Sequence, residues 1–477
     1  MSTRAQAKAE KRPRRKHDVM LHDGTMLGDL IDDGRQEVDL RVLSDPEIYR
    51  IELDRLFARS WIMVGHETEI RNAGDYVLRY IGEDLVIVSR QQDGSVAILL
   101  NVCMHRGMQV CRAERGNATT FKCPYHGWVY GQDGRLRGAP FESEMFGSLD
   151  KARLGLTRAR VATLGGVIFG NFDPDAPSFD EFFGDFKFYL ECVLCRTEGG
   201  LEVLGAPQRA LIRANWKCPA EQGSVDGYHA IGLHQSFREL GFFGGGNTAV
   251  AAGLVSIDVS AAGGGLRCFP IEPSYLEAIV AKGSGANVFA NVTTTPEERL
   301  RKNPPIGMTP EMVSELRKTL SPAQLQVLST FFPSVGQAFP TFEFLLFHGP
   351  ATAEQVGPVI GLHSWCPKGP DAFEIWTWVF AEKNAPQAMK DLGRKAALRT
   401  IGSSGMIESD DGEAWPSQTR SARGAVGARQ KFRYLAFHGH NPPEGWPGPG
   451  MVHTGITRDD GQWLWWQRYF RFMLGEE

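Results

Sequence analysis

No stretch of the 477-residue sequence stays apolar long enough to span a bilayer. The opening segment, Met1-Ser2-Thr3-Arg4 through Arg14-Arg15-Lys16, also lacks the apolar centre of a secretory signal. An excess of either charge is missing too. Lys and Arg number 52 against 56 Asp and Glu, a formal net charge of -4, which leaves no overall field to gather nucleic acid or an anionic membrane. Neither a Rossmann-type glycine fingerprint nor a flavin site is found, so NAD(P)H oxidation would fall to another protein. Cysteine is sparse, at eight residues, far below the density of a disulfide scaffold. These absences predict a cytoplasmic chain without membrane or nucleic-acid partners, whose cysteines must be examined as metal ligands or nucleophiles.

What is present is the composition of a globular protein, 42% hydrophobic and 23% charged, on a chain long enough for two domains. The basic, almost apolar-free start reads as a solvated, disordered tail over residues 1–24. Ser44-Asp45-Pro46-Glu47, a capping-box spacing from Ser44, followed by Ile48, Ile51, Leu53, Leu56 and Phe57, predicts a helix over 45–59. Residues 25–59 thus form a helical lead-in. From Trp61 the texture changes to short runs parted by turns: Tyr76 to Tyr80, Leu85 to Ser89, Val96 to Val102. This predicts a small antiparallel β domain over 60–180. Over 181–477, helical punctuation at Pro310 to Leu325 and Pro386 to Thr400 alternates with strand-like runs at Val359 to Trp365 and Phe373 to Phe380. The fold class is α+β, with a larger antiparallel sheet surrounded by helices. Gly- and Ala-rich residues 240–265 predict a mobile flap, and the aromatic run Trp463 to Phe470 a packed C-terminal helix.

Cys103-Met104-His105 follows one strand, and Cys123-Pro124-Tyr125-His126 comes after seventeen intervening residues. Two loops, each offering one thiolate and one imidazole, suit either tetrahedral zinc or a 2Fe-2S cluster with both histidines on one iron. Cys111 between them, and the pair Cys192 and Cys195, are expected to be packing residues; His438 and His440 are expected at the surface. A second constellation is Asp226-Gly227-Tyr228-His229 with His234. Five residues turn a regular helix by about 500°, leaving the two rings about 140° apart, so a shared metal requires a distorted helix or a helix end. A third ligand is sought in Glu408-Ser409-Asp410-Asp411, where a charged solvated loop is the competing reading.

Cys-x-His-Arg-Gly at Cys103 to Gly107 and Cys-x-x-His-Gly-Trp at Cys123 to Trp128 resemble the Rieske motif. Together with Asn215-Trp216-Lys217, Asp-x-Tyr-His-x4-His and Glu-x-Asp-Asp in that order, they resemble the large alpha subunit of Rieske non-haem iron aromatic-ring-hydroxylating dioxygenases, the naphthalene and biphenyl dioxygenase group, from about residue 25 onward. The resemblance implies cofactors and ligands: a Rieske-type 2Fe-2S cluster on Cys103, His105, Cys123 and His126, and mononuclear Fe(II) on His229, His234 and Asp411, with Asp410 as the alternative. It implies cis-dihydroxylation of an arene by both atoms of O2, feeding aromatic hydrocarbon catabolism. Asp226 would bridge His126 of a neighbouring chain to His229, in a homotrimer often joined by a small beta subunit. Electrons would come from an NAD(P)H-dependent reductase through a ferredoxin.

The group commonly has Asn where Gln222 stands and a bulky aromatic where Gly223 stands. Further pocket positions match Ala230, Leu345 and Ile407, mostly apolar, which predicts a bicyclic or polycyclic hydrocarbon substrate. Competing readings are an aromatic carboxylate held by a base such as Arg238, a Rieske monooxygenase or demethylase on the same ligands, and a zinc-stabilised binding protein without catalysis.

Overall fold

In the computed structural model, the described residues are 17–239, 255–272, 274–275, 293–436, 441–456 and 458–477. The two strand-like runs of the second half become adjacent strands Val356–Pro367 and Phe373–Glu382, and Phe342–Pro350, which was not expected, pairs with the first of them to make it the middle of three. Aromatic and β-branched residues dominate them, and the middle strand is buried along nearly its whole length, as a strand covered on both faces must be. They are the centre of a nine-stranded antiparallel sheet that extends through Phe331–Ala338, Gly264–Pro270 and Val255–Ala261 to Met451–Ile456. Helix Gln387–Thr400 lies directly on this sheet. Two glycines permit the approach: a Cβ on Gly357 would stand 2.3 Å from the Leu392 carbonyl, and one on Gly393 2.5 Å from that of Pro358. On the other flank the C-terminal helix Asp460–Met473 buries Trp463, Trp465, Trp466 and Tyr469, as its aromatic run predicts.

The strands expected in the first half form as Asp75–Ile81, Asp84–Arg90 and Val96–Leu100, completed by Arg115–Asn117. A small sheet of Thr120–Lys122, Val129–Gly131 and Leu136–Gly138 carries the second Cys-His loop. A third sheet, Arg160–Leu164, Val167–Asn171 and Ile62–His66, abuts the larger unit, where Phe169 meets Phe342 edge-on at 5.6 Å. The architecture is α+β, as predicted.

Several local expectations need correction. The helix at 46–52 is capped by Asp45, whose carboxylate accepts the Glu47 and Ile48 amides; Ser44 Oγ instead donates to the Ala422 carbonyl. It continues as a π-turn, Leu53–Phe57. The single helix expected over 310–325 is broken into Val313–Thr319 and Pro322–Leu328, because Ser321 caps a new helix and Pro322 cannot continue the old one. Residues 255–265, expected in a flap, are two paired strands turning at Gly263, where φ is +68°; residues 240–254 lie outside the described residues. Of residues 17–24, expected in the tail, Leu21 is buried and Asp18 accepts from the Gly28 amide, while most of the others stay exposed. The lead-in at 25–59, expected to be helical, also contains short strands, one of which, Glu37–Asp39, pairs with Lys431–Arg433. Among the described residues, no helix is long and apolar enough to cross a membrane.

Candidate active site

The first constellation is built by two loops of matching design. The Gly107 amide donates to the Cys103 carbonyl at 2.9 Å and the Gly127 amide to that of Cys123 at 3.1 Å. Both glycines hold φ near +70°, which a side chain would resist. The loops bury Cys103 and Cys123 and bring the His105 and His126 rings to 4.5 Å. His105 stacks on Trp128 at 4.9 Å, and its Nδ1 is buried without a hydrogen-bond partner. An orphaned imidazole nitrogen on one of two loops that each bury a thiol fits a metal-cluster site. Burial raises the Cys123 pKa and lowers that of His105. Cys103 Sγ also lies 3.2 Å from the Tyr130 hydroxyl. Cys111 is buried apart from this pairing, with its thiol directed at the Ala113 carbonyl.

The second constellation resolves the awkward histidine spacing by breaking the helix. His229 opens a single turn, His229–Gly232, and His234 stands after it, before Gln235–Glu239. The two Nε2 atoms are 3.2 Å apart. Asp411, on helix Met406–Arg423, brings one oxygen to 4.0 Å from His229 Nε2 and the other to 3.5 Å from His234 Nε2. All three donor atoms lie within 4.8 Å of one another. Ligands about 2.1 Å from a shared ion and mutually cis are about 3 Å apart, so the three fit one face of a metal centre. Asp410 points elsewhere, 3.3 Å from His234 Nδ1, where it orients the ring. Asp226 stands 3.5 Å from His229 Nδ1. Burial opposes a charge on His229, but Asp226 and then Asp411 outweigh it, and the His229 pKa is raised.

Gln222 joins these parts. Its amide donates to Asp411 Oδ1 at 2.7 Å and accepts the Trp415 indole N–H at 2.8 Å, so both ends of the amide are fixed. Beside the three donors lies a cavity of about 1150 Å³ whose lining includes Gln222, Gly223, Ala230, Leu345 and Ile407, all five expected pocket residues. It is less apolar than expected: Glu343 and Glu408 also line it. Burial pushes the Glu408 carboxyl up to about 8 and that of Glu343 well above its ordinary value. The 3- and 4-residue steps from Glu408 to Asp411 to Trp415 on one helix could have suggested a shared face for Glu408; no local signal marks Glu343. Cys192 is buried and borders the cavity, Cys195 is half-buried, and both are free. The side chain of Arg238 and residues 438 and 440 lie outside the described residues.

Two family profiles match, the Rieske [2Fe-2S] domain over residues 60–155 and the ring hydroxylating alpha subunit (catalytic domain) over residues 188–438. The chain is 35% identical over 452 residues to the chlorobenzene dioxygenase subunit alpha of Cupriavidus sp. (strain PS12), covering 94% of this chain and 93% of that one. The chain belongs to the ring-hydroxylating dioxygenase alpha subunits. The biphenyl 2,3-dioxygenase subunit alpha of Rhodococcus jostii (strain RHA1) is 34% identical, over 92% of this chain and 90% of that. Naphthalene 1,2-dioxygenase from Rhodococcus sp., solved with indole bound, superposes with a TM-score of 0.79 at 33% identity, over 92% and 95% of the two chains. This ring-hydroxylating alpha subunit is therefore a terminal oxygenase of the Rieske type, with a 2Fe-2S cluster and mononuclear iron as cofactors, and it depends on electron-transfer partners. The zinc-scaffold reading is set aside.

Proposed function

We propose that this oxygenase adds both atoms of O2 to a neutral arene, with Cys103, His105, Cys123 and His126 holding the cluster and His229, His234 and Asp411 holding the iron. The convergence of those last three side chains from two separate elements, beside a cavity of about 1150 Å³, carries the reading. When bound, the iron supplies open positions at which dioxygen is activated, and the cluster supplies electrons singly. The chain's own residues supply the order. Gln222, held by Trp415, keeps the Asp411 carboxylate turned to the histidines, and Asp410 holds the far nitrogen of His234. Ala230, Leu345 and Ile407 present apolar surface against which a flat ring can bury, at about 25 cal/mol per Å².

Electron supply is assigned to a ferredoxin and an NAD(P)H-dependent reductase in a reducing cytoplasm, in keeping with eight free cysteines. A homotrimer, with or without a beta subunit, is supported by exposed Tyr125, Phe141 and Met145 around the Cys-His loops, an apolar rim suited to a neighbouring subunit. In that arrangement Asp226 links a neighbour's His126 to His229. Asp226→Asn then keeps the visible absorbance of the cluster and loses product; unimpaired turnover excludes the bridge.

The decisive test supplies a ferredoxin, a reductase and 18O2 with naphthalene. A cis-dihydrodiol bearing two 18O atoms is expected, and Asp411→Ala should retain cluster absorbance while losing one iron per chain and all product. Product confined to aromatic carboxylates, or turnover by Asp411→Ala, overturns the proposal.

A further inference from the structure

Part of the cavity wall is acidic in a way that the family reading does not require. Glu343 and His363 face each other directly on the paired strands Phe342–Pro350 and Val356–Pro367. Glu343 Oε2 lies 3.1 Å from His363 Nδ1, and Glu408 Oε1 lies 3.8 Å from the same nitrogen. His363 is fully buried and its Nε2 has no hydrogen-bond partner. Its proton is therefore best kept on Nδ1, where a carboxyl oxygen can accept it. One N–H serves at most one of the two carboxyl groups, and the other keeps a carbonyl oxygen able to accept even when protonated.

No lysine or arginine among the described residues pairs with either acid. The cationic side chains that border the cavity are engaged elsewhere, Arg196 with Glu382, Arg267 with Asp258 and Lys302 with Glu272. Both carboxyl groups nonetheless reach the cavity surface, with 11% and 12% of their side chains accessible. Gly223 accounts for the space: a Cβ there would stand 3.0 Å from Glu343 Oε1 and from Gln337 Oε1.

We propose that Glu343 and Glu408 form a hydrogen-bond-accepting wall that receives an N–H group of the substrate, so that this oxygenase takes arylamines in preference to unsubstituted hydrocarbons. This rests on the cavity being the substrate pocket. Glu408 stands one helical turn before Asp411, so a group held by the wall lies at a set distance from the metal ligands. Leu345, two residues beyond Glu343 on the same strand face, continues the wall as apolar surface for the ring.

The test is binding to the iron-loaded full chain without reductant, read by calorimetry, with naphthalene and 1-aminonaphthalene as a pair differing only in the amino group. Wild type should bind the amine at least tenfold more tightly. Glu343→Leu and Glu408→Leu should each bring the ratio of dissociation constants within about threefold of unity, and Glu343→Gln and Glu408→Gln, which keep shape, should lower it at least threefold should the leucine variants fail to fold. Equal binding of the two compounds by wild type, or a ratio unmoved by the substitutions, overturns the inference. Dihydroxylation of naphthalene alongside such a result would leave the proposed oxygenase function standing; absence of product from both compounds would sink that function instead.

Discussion

His66 is a buried imidazole at the seam between the small sheet and the large one. Its Nε2 faces the Gly165 carbonyl at 3.2 Å, its Nδ1 accepts the Thr68 amide at 3.2 Å, and Phe380 meets it edge-on at 5.1 Å. Burial pushes its pKa down to about 4. Between pH 6.5 and 4 the unfolded chain binds a proton that the folded one refuses, so stability falls on acidification across that window. The loss from this residue should be about 3 kcal/mol at pH 4, seen as the difference in urea midpoint between wild type and His66→Gln as pH is lowered. A constant difference would show that His66 does not titrate this way. Single residues were also where the sequence spoke most clearly. The Cys-His pairs declare themselves because both members sit in one short loop, and His229 with His234 do so despite a spacing that suits no regular helix. Glu343 and His363 escaped because twenty residues and a strand connection separate them, and only the sheet register brings them face to face.

At the scale of elements, the turn between Arg160–Leu164 and Val167–Asn171 is wedged against the end of helix Phe186–Leu194. Gly165 has φ of +59°, and a Cβ there would stand 2.3 Å from the Leu194 carbonyl. Gly165→Ala combines left-handed strain of about 1 kcal/mol with overpacking of about 1–3 kcal/mol. Its urea midpoint should drop accordingly, whereas Gly94→Ala, at φ +85° with open space around it, should lose only the strain. Equal losses would show that the wedge is unimportant. Strands were legible as short apolar runs parted by turn signals. The flap reading of residues 255–265 failed because runs of Gly and Ala signal freedom only when nothing packs on them. Here a Cβ on Gly264 would stand 2.7 Å from the Gln337 carbonyl and one on Gly265 2.9 Å from the Ser224 backbone, so the small residues serve close packing.

Across the whole molecule, Glu52 gathers three distant parts of the chain. It accepts from Lys217 Nζ at 2.5 Å, the Trp216 indole at 2.8 Å and the Tyr469 hydroxyl at 2.5 Å, with Glu52 and Lys217 both fully buried. Removing one partner strands a buried charge, so Lys217→Met should cost about 3–5 kcal/mol, and adding Glu52→Gln should recover part of it, a non-additivity that a double-mutant cycle in denaturant would measure. Additive losses would show that the ion pair is not coupled. Asn215-Trp216-Lys217 could be matched as a motif, yet its partner could not be found from sequence, since the Glu52 carboxylate lies 165 positions away from Lys217. The same long reach sets a clock. Strand Glu37–Asp39 finds its partner only at Lys431–Arg433, and the Asp39–Lys431 contact spans 392 positions. At about 5–20 residues per second, translation leaves the first strand waiting roughly 20–80 s for the second. The Cys-His loops are complete for most of that interval. The two loops can therefore be in place well before the pairing that ties the start of the chain to its far end is made.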